Sequence, residues 1–112
     1  MDNSPMNPYL TPAAEPRTRS VVHEDAGNRA LFAAEWALDC GNAPEAVGAY
    51  RRAARAFTRA AELRADAGAA PGGTALDRVL VDQFRADAEV AQATADRLLY
   101  GDAGTGAGGG VA

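Results

Sequence analysis

Residues 74 to 101 read TALDRVLVDQFRADAEVAQATADRLLYG, and this stretch decides the fold class. Leu76, Leu80, Phe84, Ala88, Ala91, Ala95 and Leu98 recur every three or four residues, which places their side chains on one face of an α-helix. Asp82, Arg85, Glu89, Gln92 and Asp96 keep the same step on another face, which is expected to be solvated, while Val81 and Val90 lie off the apolar seam. Thr74 followed three residues later by Asp77 is close to a capping box, and Gly101 suits the position after a last helical turn. A helix is therefore predicted over 75 to 100. β-branched residues are scarce and never alternate, so no strand is predicted anywhere.

Working backwards, Gly68 to Gly73 with Pro71 forms a break, and a second helix is predicted over 43 to 67. Pro44 is tolerated in a first turn, where its missing N–H has no partner to lose, and Glu45 suits the positive end of the helix dipole. Val47, Tyr50, Ala54, Phe57 and Ala61 make one stripe on it, and Ala46, Ala49, Ala53 and Ala60 make a shallow second stripe that lets a neighbouring helix come close. A first helix is predicted over about 24 to 40, capped by Ser20 or Asp25 and stopped by Gly41-Asn42. Leu31, Ala34 and Leu38 on one face, with Phe32 and Trp36 on another, place this helix at the centre. The fold class is all-α: a three-helix bundle, or a helical hairpin followed by a third long helix.

Pro5, Pro8, Pro12 and Pro16 block helix in residues 1 to 19, and little but Gly, Ala, Asp and Thr follows Gly101. Both ends, 1–19 and 101–112, are expected to be disordered tails flanking one helical domain over 20–100. The first twenty residues contain no apolar run, so no signal peptide is expected, and no stretch reaches the roughly 20 apolar residues of a membrane span. Cys40 is the sole cysteine and suits a reducing compartment, so a cytoplasmic location is expected.

The segment Ala37-Leu38-Asp39-Cys40-Gly41-Asn42-Ala43-Pro44-Glu45-Ala46-Val47-Gly48-Ala49-Tyr50-Arg51-Arg52-Ala53 resembles the turn and second helix of a tetratricopeptide repeat. Gly41, Asn42, Glu45, Ala46, Val47, Tyr50 and Ala53 carry the resemblance, with Ala43 where that family usually has an aromatic. The segment is equally similar to the hairpin of the microtubule-interacting-and-transport type of three-helix domain. Both families bind peptides or helices of other proteins in grooves between helices, so the resemblance implies an interaction role.

No catalytic constellation, cofactor motif or metal-ligand set is found, and an enzyme is not expected. His23 beside Glu24 and Asp25 reads as a polar helix start, and Cys40 reads as a small buried residue. Trp36 and Phe32 are expected mainly in the core. Arg51, Arg52, Arg55 and Arg59 line one side of the second helix, but they carry no interleaved aromatics for stacking bases, and the net charge of −4 disfavours a nucleic-acid ligand. Residues 43 to 67 hold five arginines against three acids, and 75 to 100 hold three arginines against five acids. Opposite signs on successive helices are expected to pair within the molecule or in antiparallel self-association.

The leading expectation is a small adaptor or regulatory subunit that binds a helix or peptide of a partner protein. Trp36, Tyr50 and Phe57 are the residues expected to line its groove, with Arg51, Arg55 and Arg59 as the polar contacts. Two alternatives are a self-assembling helical bundle with no other ligand, and a weak nucleic-acid-binding regulator working through the arginine strip.

Overall fold

The computed structural model describes residues 11–101 and contains three long helices, α1 (Ala14–Asp39), α2 (Ala43–Ala69) and α3 (Ala75–Tyr100), with no strand among the described residues. Of the expected tails, residues 1–10 and 102–112 lie outside the described residues.

α1 begins at Ala14, well before the predicted start near residue 24, so residues 14 to 19 belong to the helix rather than to a tail. Pro16 does not prevent this, because it falls in the first turn, where its missing N–H has no intrahelical acceptor to lose. No side chain caps this end. Tertiary contacts hold it instead: the Ala13 N–H donates to the Pro71 carbonyl at 3.2 Å, and the Arg17 guanidinium reaches the Gly72 carbonyl and both oxygens of Asp77. At the other end Gly41 adopts φ of +75°, the Cys40 N–H donates to Trp36, the Asn42 N–H to Ala37 and the Gly41 N–H to Leu38, so these three carbonyls of the last turn are satisfied. Asn42 then accepts from the Glu45 N–H at 3.2 Å and starts α2. The turn from α1 into α2 and the start of α3 lie where the sequence predicts them. Thr74 and Asp77 form a complete capping box.

α2, not α1, is the central helix. Positions 46, 49, 53, 56, 60, 63 and 67 form one seam, and positions 47, 50, 54, 57, 61, 64 and 68 form another, all of them buried or half-buried. Both alternate steps of three and four, the period that keeps a seam facing a neighbouring helix along its length. α1 and α3 flank α2 and scarcely touch each other.

The side of α1 turned inward is built from small residues, with Ala13, Ser20, Gly27 and Ala34 buried at intervals of seven and Ala37 beside them. α2 offers Ala46, Ala53, Ala60 and Ala67, each fully buried and again seven apart, and Gly27 packs against the Phe57 ring. Small residues on both sides allow close approach of the helices, and this leaves Phe32, Trp36 and Leu38 outside. Against α3, the core gathers Phe57, Phe84, Val81, Ala54, Ala61, Ala88 and Ala91.

The inward face of α3 is rotated at its start relative to expectation. Asp77 and Val81 are buried there, whereas Leu76 is exposed and Leu80 only half-buried. Two turns back from Phe84 in a seven-residue repeat is position 77, and Asp77 is held there by two arginines.

Candidate partner-binding surface

The residues expected to form one groove are not brought together. Phe57 is 1% exposed, with its ring against Gly27 of α1 and the α3 core, so it belongs to the interior and is not available to a partner. Tyr50 is half-buried in the second seam of α2, and its hydroxyl is held above the ordinary tyrosine range, first by burial and then by the negative charge of Glu35 on α1. Trp36 stands outside, 65% exposed, one turn from Phe32, which is 70% exposed. The expectation that these two rings pack in the core is overturned, because the small seam of α1 already fills that side. Together with Ala37, Cys40, Asn42 and Glu45 they border an open groove of about 650 Å³. Cys40 is exposed, not buried, since it lies just past the last turn of α1. His23 is half-buried well inside α1.

Arg55 is exposed and Arg51 and Arg59 are half-buried on α2, away from both seams. The arginine strip does not pair with the acids of α3. Arg59 meets Glu62 at 3.1 Å and Arg52 meets Glu45 at 3.7 Å, both within α2.

Comparison with known proteins finds no matching family model, curated protein or solved structure.

The ion pairs that join helices converge on Asp77, which is 1% exposed. Arg17 of α1 donates to it at 2.7 and 3.0 Å, and Arg64 of α2 donates at 3.2 Å, while Thr74 donates through its N–H and its hydroxyl. These contacts, Arg17 foremost, hold the Asp77 carboxyl well below the usual carboxylate range despite its burial. The Arg64 Nε is buried without a hydrogen-bond partner. With every Asp77 oxygen engaged, the cluster is a structural tie. Among the described residues no group of His, Cys, Asp and Glu is placed to hold a metal ion, and no helix is long and apolar enough to cross a membrane.

A second surface lies on the side of α3 turned away from α2. Positions 76, 79, 83, 86, 90, 93, 97 and 100 are all exposed and alternate steps of three and four through the whole helix. Leu76, Val79, Val90 and Tyr100 are its large apolar members. The signal is present in the sequence, but assigning Leu76 to the inward face hides it.

Proposed function

We propose that this chain is a small helical interaction module, an adaptor or regulatory subunit, that binds a helix or peptide of a partner protein. One observation carries the reading. Among the described residues ten large apolar side chains are exposed, five on α1 and five on α3, and none on α2. Isolated exposed apolar residues are ordinary on a soluble domain, but rows of them along the free sides of two helices mark surfaces that another helix covers. The half-helix containing Phe32 and Trp36 offers the aromatic anchors typical of a binding hot spot, replacing the groove of Trp36, Tyr50 and Phe57 expected from the sequence. The exposed thiol of Cys40 supports a reducing, cytoplasmic setting.

Capture of the tagged full chain from its native lysate, with and without nuclease, paired with light scattering on the purified protein, tests this reading. A stoichiometric protein partner that resists nuclease is the expected result. Recovery of the chain alone as a defined oligomer would replace the reading with self-assembly, and a partner lost on nuclease treatment would move it to nucleic acid.

A further inference from the structure

We infer that the outer side of α3 docks an amphipathic helix of another protein whose positions flanking its apolar seam carry lysine or arginine. The inference rests on the interaction-module reading and names the chemistry of the partner.

The outer row of α3 has the pattern of a coiled-coil seam, and each position in it is exposed. α2 occupies the opposite side of the same helix, so α3 carries two heptad seams and uses one. The residues bordering the free seam decide what covers it. Asp82, Glu89 and Asp96 run along one margin at intervals of seven, and Asp87 stands on the other. No lysine or arginine occupies a bordering position, where the remaining residues are Ala75, Leu80, Thr94 and Gly101.

These margins select against a second copy of α3. Parallel pairing sets one acidic margin against the other, and antiparallel pairing sets the three-acid margin against itself. The outward side of α2 from a second copy is no better, since Arg51, Arg55, Arg59 and Glu62 offer no apolar side chains to fill the seam. A helix with an apolar seam and basic margins satisfies both requirements. Gln83 and Arg97 lie within the seam itself, where polar residues fix register, so the partner carries a polar or acidic residue opposite Arg97.

Two synthetic helices of the length of α3 provide the test, both with leucine along the seam, one with lysine and one with glutamate at the flanking positions. Each is titrated into the isotope-labelled full chain at low ionic strength. The lysine helix is expected to bind about tenfold more tightly than its twin, to weaken as salt is added, and to shift the amide signals of α3. The double variant Val79→Asp, Val90→Asp changes only exposed positions and is expected to weaken binding by about tenfold or more. The triple variant Asp82→Lys, Glu89→Lys, Asp96→Lys is expected to reverse the preference between the twins. Equal affinity for both helices, no binding of either, or a dimer of the chain alone that the Val79 and Val90 changes dissociate would overturn the inference. Signals confined to Phe32 and Trp36 would overturn it while leaving the interaction-module reading standing, and that reading is decided separately by the capture experiment.

Discussion

The ring of Phe57 on α2 packs directly onto the backbone of α1 at Gly27, with Cε1 and Cζ 2.8 Å from the point a Cβ would occupy. Glycine in mid-helix ordinarily costs about 1 kcal/mol relative to alanine, so a Gly27→Ala change on a free helix surface would stabilise. Here the added methyl meets the ring of Phe57, which is itself buried, so the ring or the helix must shift. The expected outcome is a net loss of about 1 to 2 kcal/mol, read by chemical denaturation, because overpacking exceeds the gain in propensity. An unchanged or raised stability would mean that Phe57 is not seated against Gly27.

A related expectation concerns the alanine seam between α1 and α2. Ala53 and Ala60 are fully buried where the two helices approach, so Ala60→Leu forces the helices apart. A loss of about 3 kcal/mol or more is expected by thermal unfolding. The same substitution at exposed Ala86 is expected to change stability by less than about 0.5 kcal/mol.

Asp77 ties three helices together, and its removal leaves two arginines facing an empty position. Asp77→Ala is expected to cost about 3 kcal/mol. Arg64→Met is expected to cost less than about 1 kcal/mol, because Arg17 and Thr74 still hold the carboxylate and the unpartnered Nε disappears. The folded-state pKa of Asp77 lies below its unfolded value, so its stabilisation is present above about pH 4 and is lost as the pH falls toward the depressed folded value. Melting temperatures recorded from neutral pH into this acid range are expected to fall more steeply for the wild type than for Asp77→Asn.

Trp36 is the sole tryptophan, and its exposure gives a direct optical check. Its emission is expected at the wavelength of a solvated indole and is expected to be readily quenched by a soluble quencher. Trp36→Ala is expected to alter stability by less than about 0.5 kcal/mol, whereas Phe57→Ala is expected to cost about 3 to 5 kcal/mol.

The parts of the fold legible in the sequence are those written in local chemistry. Gly41-Asn42 sets the turn into α2, Thr74 and Asp77 set the start of α3, and the two stripes of α2 are visible as its two seams. The role of α1 is not legible by the same means, because weighting bulky residues draws attention to Phe32, Trp36 and Leu38. The burying side is instead written in Ala13, Ser20, Gly27 and Ala34, whose small size matters only beside the alanines of α2. The Arg17–Asp77 pair joins residues sixty positions apart, and neither carries a local sign of the other. For the candidate surface, Trp36 is legible in the sequence, but its separation from Phe57 depends on which helix is central.

The hydrogen bonds joining α1 to α3 run between Arg17 and Asp77, at one end of the molecule. At the opposite end α1 runs into α2 through the hydrogen-bonded Gly41-Asn42 turn, whereas α3 reaches Tyr100 with no connecting turn to either neighbour. α3 is therefore hinged on the α1–α2 hairpin at its acid–arginine end. A guest that lifts the Tyr100 end of α3 would meet less resistance than one working at the hinge, and amides at that end should exchange with solvent sooner than those of the middle helix.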